Sequence, residues 1–238
     1  MKKRGDETKS LLEHIEELRR RLIKALLALA VGFVISALFT NQLLEWLARP
    51  VGGLEKLEAI EVTENLGVFM QVALLGGVLL AMPVIVYQVW RFVTPGLYPH
   101  EKRYIYILAP AATLLFISGA AFAYFVMLPA AVPALLGFAP IPTRPRPANY
   151  ISFVTNLMFW VGISFEMPLF IFFLAKVRLV GPRDLLRNWR VAVFLIALLA
   201  ALVTPTGDPI NMGLVMIPLV VLYVLSILLA LVAYRESG

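Results

Sequence analysis

Tyr150–Ala175 reads YISFVTNLMFWVGISFEMPLFIFFLA, 26 residues in which Glu166 is the only charge. As a helix it exceeds the roughly 20 residues that a ~30 Å hydrocarbon core requires. Working outward in both directions, further apolar runs occupy residues 22–39, 66–92, 104–128, 189–203 and 210–234. The chain therefore reads as an all-α polytopic membrane protein with six transmembrane helices in a single membrane domain, 1–238. The fifth run is the exception: 15 residues at about 1.5 Å each rise only ~22 Å, so it tilts little or thins the bilayer around it.

Composition agrees. The 238 residues are 61% hydrophobic and 15% charged, with a mean hydropathy of +0.85, which is far from the range of soluble domains. The net charge of +6 raises the question of nucleic acid, yet no basic stripe with interleaved aromatics is present, and nucleic acid is excluded as a partner. Cysteine is absent, which removes disulfides, thiolate nucleophiles and Cys-based metal sites.

The basic residues divide between alternate connectors. Lys2, Lys3, Arg4, Lys9, Arg19, Arg20, Arg21 and Lys24, then Arg91, Lys102 and Arg103, then Lys176, Arg178, Arg183, Arg187 and Arg190, and finally Arg235 fall on one side. Only Arg49, Lys56, Arg144 and Arg146 fall on the other, beside an acidic 54–65 loop with Glu55, Glu58, Glu61 and Glu64. The positive-inside rule makes the first set cytoplasmic, with both termini inside. Ser10 and Glu13 have capping-box spacing, and Leu11, Ile15, Leu18 and Leu22 then share one face. That predicts a cytoplasmic amphipathic helix over 10–21 running into an uncleaved first span. Residues 129–147, with Pro133, Pro140, Pro142 and Pro145, read as a stiff outer connector.

His14 and His100 are the only histidines, without a second ligand at metal spacing, and read as interfacial side chains. No Ser-His-Asp convergence and no GxxxxGK phosphate loop is present, so neither catalysis nor a metal or cofactor is expected. Glu166 lies about ten residues, hence ~15 Å, from Lys176. A carboxylate at that depth costs at least ~2.5 kcal/mol on insertion scales and must face a bundle interior, a hydrated cavity or a partner. Pro168 should bend the helix there. Glu17 has Arg20 and Arg21 at i+3 and i+4, which reads first as a surface pair. Glu101 follows Pro99 at a helix start, where an acid complements the dipole. Together they are two carboxylates at membrane edges, a setting suited to a basic peptide.

Several stretches resemble the TatC family of the twin-arginine (Sec-independent) protein translocase, in order along nearly the whole chain. They are His14-Ile-Glu-Glu-Leu-Arg-Arg-Arg-Leu22, Pro83-Val-Ile-Val-Tyr-Gln-Val-Trp-Arg-Phe92, Pro95-Gly-Leu97, His100-Glu-Lys-Arg103, Gly119-Ala-Ala-Phe-Ala-Tyr124, Ser164-Phe-Glu-Met-Pro168 and Thr204-Pro205 with Asp208. The resemblance implies a core receptor subunit that binds signal peptides with paired arginines on folded cargo. It also implies recruitment of single-span TatA/TatB-like subunits for export driven by the proton motive force. By motif, Glu17, Arg19 and Glu101 match the family's signal-peptide-binding residues and Glu166 its intramembrane polar site. Thr204, Pro205 and Asp208, at the end of the short fifth span, are expected to contact a partner subunit. Two positions depart, because Met212 and Val224 stand where the family often carries Gln and Glu; Asn211 takes the first place if Thr206-Gly207 holds a one-residue insertion.

The resemblance further implies the bacterial inner membrane, contact with the lipid bilayer and scope for self-association. The rival reading is a proton-coupled small-solute permease using Glu166, and a more distant one is an intramembrane hydrolase.

Overall fold

The computed structural model describes the backbone of residues 3–93, 105–137, 143–204 and 209–235, and every regular element among them is helical. In chain order these are α1 (Lys3–Leu38), α2 (Thr40–Leu47), two short 3-10 turns, α3 (Glu64–Val93), α4 (Ile105–Phe122), a π-helical turn (Ala123–Met127) and α5 (Leu128–Leu136). Then follow α6 (Pro147–Phe165), α7 (Met167–Lys176), α8 (Pro182–Arg187), α9 (Trp189–Val203) and α10 (Pro209–Arg235). Among the described residues five helical stretches are long and apolar enough to cross a membrane: Glu13–Leu38, Glu64–Val93, Ile107–Leu136, Pro147–Lys176 and Met212–Tyr234. Trp189–Val203 is apolar but shorter. The protein is thus an all-α, multi-pass membrane protein.

Two boundaries and one additional helix depart from the sequence reading. α1 begins at Lys3 rather than Ser10, since residues 3–9 hold no proline and Gly5 costs only about 1 kcal/mol relative to Ala. The third hydrophobic stretch runs on to Leu136, so residues 129–136 are helix and not connector. Pro129 is tolerated because it stands at the start of α5, immediately after the π turn, where a missing N–H costs little. α2 was not foreseen: Thr40–Leu47 is too short to stand out as a span.

The described residues fall into two compact units, Met1–Phe39 with Ala73–Thr113, and Thr40–Val72 with Leu114–Gly238. In the first, α1 meets α3 backbone to backbone. A methyl on Gly32 would lie 2.6 Å from the Gly77 carbonyl oxygen, and one on Gly77 would lie 2.8 Å from the Phe33 nitrogen. In lipid, where apolar surface is not expelled by the solvent, such small-residue crossings let helices gain close van der Waals contact. Most of the rest of the α1 span is exposed, including Leu26, Leu27, Val31 and Val34.

In the second unit α4 and α6 cross at Gly119 and Gly162. A methyl on Gly119 would lie 2.8 Å from the Phe165 ring and 2.9 Å from Gly162 Cα, and Phe116 beside them is fully buried. A further cluster joins Ala175 with Ala230 and Ala233, all fully buried, and packs against Ile171, Phe172 and Leu185. The Tyr223 hydroxyl donates to the Leu185 carbonyl at 2.7 Å, tying α10 to α8.

Candidate functional site

On α1, Glu17 and Arg21 form the i, i+4 pair that their spacing allows, Arg21 Nη2 to Glu17 Oε1 at 2.8 Å. Arg21 also reaches α3: its Nη1 donates to Gln88 Oε1 at 3.3 Å. The two side chains are only 18% and 29% exposed, Arg21 and Glu17 respectively, and Gln88 is buried. Arg21 Nε is buried without a hydrogen-bond partner among the described residues. Arg19 and Arg20, by contrast, are exposed. Seven residues before Arg21, the His14 ring stacks on Phe92, centroids 4.5 Å apart. Contacts that hold the polar edge of α1 to α3 thus include a ring stack and a hydrogen bond. Glu101, the second acid expected to join this edge, lies outside the described residues, as do Pro205 and Asp208.

Glu166 stands at a one-residue break between α6 and α7. It is the last residue of the α6 turn, its N–H donating to the Ile163 carbonyl at 3.0 Å, and Pro168 falls in the first turn of α7. The helix is thus interrupted for one residue just before Pro168, at the place where the sequence reading expects a bend. Glu166 Oε1 is buried and has no hydrogen-bond partner among the described residues. Close by in sequence, Ser164, Met167 and Ile171 line an apolar groove of about 200 Å³ with Ala192, Leu195, Ile196 and Leu199 of α9 and Leu219 and Tyr223 of α10. Glu166 is not part of that lining.

The acids of the 54–65 loop meet the cations of the second connector. Glu64, whose side chain is 1% exposed, accepts from Arg146 Nη2 at 3.2 Å and the Ala148 N–H at 3.0 Å. The Ile60 and Glu61 N–H groups reach it too, at 3.2 and 3.5 Å. One carboxylate thereby closes the turn before α3, receives a guanidinium and satisfies an orphan amide in the first turn of α6. Arg146 also pairs with Glu61 at 3.0 Å, and Arg144 with Glu58 at 3.4 Å. Nearby, two tyrosines cap the end of α2. The Tyr124 hydroxyl donates to the Trp46 carbonyl at 2.7 Å and the Tyr150 hydroxyl to the Leu47 carbonyl at 2.9 Å. Trp46 stacks on Tyr124 with centroids 3.8 Å apart, and Tyr124 lies in the π turn.

At the end of α9, Thr204 is buried and its hydroxyl donates to the Ala200 carbonyl at 2.8 Å. It is satisfied within its own helix. Val224, at one of the departures, is 50% exposed.

Residues 13–218 match the family model for the Sec-independent protein translocase protein (TatC). The chain belongs to the TatC family. Similar TatC relatives include that of Aquifex aeolicus, 37% identical over 236 residues covering 95% of this chain and 97% of its own. That of Deinococcus radiodurans is 36% identical over 229 residues, 92% of this chain and 85% of its own. A crystal structure of the twin arginine translocase receptor TatC matches with a TM-score of 0.84 at 36% identity, covering 92% of this chain and 99% of that one.

Arg21, Gln88 and Glu64 escaped the reading of the sequence as site residues. Glu64 had a signal, since four acids in the 54–65 loop and two arginines in the connector before α6 invite pairing. Arg21 was readable only as a surface partner of Glu17; its burial and its contact with Gln88 set it apart from Arg19 and Arg20.

Proposed function

We propose that this TatC chain is the receptor subunit of a twin-arginine translocase in a bacterial cytoplasmic membrane. It crosses the bilayer six times, α9 being the short fifth span, with both termini in the cytoplasm. Signal peptides with paired arginines dock on the cytoplasmic edge through Glu17 and Glu101, with Arg19 beside them. Single-span TatA/TatB-like subunits pack against the exposed apolar side of α9 and α10 near Thr204, Pro205 and Asp208. Export draws on the proton motive force, and the chain performs no catalysis of its own.

The observation that supports this most directly is Glu17, a half-buried carboxylate at the polar edge of α1 in a chain of the TatC family. A guanidinium offers a carboxylate two parallel charge-assisted hydrogen bonds where an ammonium offers a point charge, which favours arginine over lysine. The test is titration of the detergent-solubilised protein with a twin-arginine peptide and its twin-lysine control. Glu17→Ala and Glu101→Ala should each weaken binding of the first about ten- to a hundredfold, the loss of roughly 1–3 kcal/mol, and shrink the preference over the second. Undiminished preference in both variants places the site elsewhere. The unpartnered oxygen of Glu166 is the one observation favouring a proton-coupled permease, and that reading requires solute uptake into liposomes by this chain alone.

A further inference from the structure

The proposed peptide acceptor is already occupied. Glu17 Oε1 holds a guanidinium nitrogen of Arg21 at 2.8 Å, and the other terminal nitrogen of that guanidinium is held by Gln88 at 3.3 Å. We infer that Arg21 is a built-in competitor for Glu17, an internal stand-in for a signal arginine that sets how strongly a peptide must bind before it is accepted. The inference rests on the proposed role of Glu17.

Three features support it. Arg21 offers the same group that a signal arginine offers, so exchange at Glu17 trades one guanidinium–carboxylate contact for another. Arg21 spreads its nitrogens over two acceptors, giving Glu17 a single contact, whereas an arriving guanidinium can offer it two. Finally, Gln88 is fixed on α3, and this anchor keeps Arg21 in place where the exposed Arg19 and Arg20 have none among the described residues. A site available only part of the time shows an affinity reduced by the available fraction. That lowers the affinity of every cationic segment by one factor, and only peptides with a second contact still bind.

The experiment compares twin-arginine peptide binding by the full-length protein in detergent with that of Arg21→Met, Arg21→Lys, Arg20→Met and Glu17→Ala, and of Glu17→Ala combined with Arg21→Met. Removing the competitor should tighten binding about three- to tenfold in Arg21→Met. Arg21→Lys, lacking the planar fork that reaches both acceptors, should fall between it and the parent, and carries the test if Arg21→Met does not fold. Arg20→Met reports the effect of removing any nearby positive charge and should change binding by less than twofold. In the Glu17→Ala background the gain should vanish, because Arg21 acts through Glu17. If Arg21→Met and Arg21→Lys bind as the parent does or more weakly while Glu17→Ala weakens binding, Arg21 merely positions Glu17 and the inference alone is overturned. A gain that Arg20→Met matches, or that survives in the double variant, also overturns it. If Glu17→Ala itself binds normally, the receptor role of Glu17 fails and the inference with it.

Discussion

Glu64 and Glu166 are both carboxylates in the same compact unit, at or within membrane-length helices, and they are treated in opposite ways. Glu64 takes four donors from two segments of chain, residues 60–61 and 146–148. Glu166 has an oxygen that is buried without any described donor. A buried carboxylate with both oxygens engaged is a structural part: it fixes the turn before α3, Arg146 and the start of α6 together. A buried carboxylate left short of donors keeps a cost in the folded state that a water, a proton or a second polypeptide can relieve. The comparison separates acids that hold the fold from acids that await something.

The largest effect should therefore come from Glu64→Ala, which leaves Arg146 with Glu61 as its one described acid and deprives three backbone N–H groups of their acceptor at once. Melting in detergent should fall by several degrees, and limited proteolysis should cut the 54–64 loop before any other described segment. Glu64→Gln should retain part of this stability, since its carbonyl oxygen still accepts while its amide faces Arg146. A parent-like melting curve for Glu64→Ala would break the comparison at its structural end.

How much of this was legible in the sequence follows the same division. The spans were readable because lipid demands long apolar runs, and the break at Glu166 because Pro168 removes a donor and an acid interrupts the only long run that carries one. Glu17 was readable as a helix-edge acid. What escaped depended on contacts between segments distant in sequence. The hub at Glu64 needs Arg146 and Ala148 from another connector, and the clasp on Glu17 needs Gln88 from another helix. The cap on α2 needs Tyr124 from a π turn whose presence no residue pattern announces. Local periodicity reports which face of a helix is apolar, but not what lies opposite it.

A middle-sized effect belongs to Gly119, whose missing side chain lets α4 press against Phe165, the residue before Glu166. Gly119→Ala places a carbon within 3 Å of both the ring and the Gly162 backbone, and should cost about 1–3 kcal/mol through overpacking. The ring must then move, and with it the helix end on which Glu166 stands. Gly67→Ala and Gly213→Ala are the controls, since nothing lies within 4 Å of a methyl at either site, and both should melt at the parent's temperature or above it. If Gly119→Ala melts with these controls, the α4–α6 crossing has room to spare and the packing behind Glu166 is loose.

The smallest effect on stability should come from Glu166→Gln, although it is the same chemical change as Glu64→Gln. Replacing the carboxyl by an amide where Oε1 has no described donor takes away no described hydrogen bond and removes an acid that is costly to ionise there, so stability should stay within about 1 kcal/mol of the parent or rise. Function should respond in the other direction. Glutamine keeps a polar group for a partner but can neither carry a charge nor exchange a proton, whereas alanine keeps nothing. Cargo export in cells should therefore fall further for Glu166→Ala than for Glu166→Gln, with both variants inserted in the membrane at parental levels. Two outcomes overturn this. Full export by both variants makes Glu166 a packing residue, and a loss of stability in Glu166→Gln as large as in Glu64→Gln means that Glu166 is held by donors after all, which removes the distinction between the two acids.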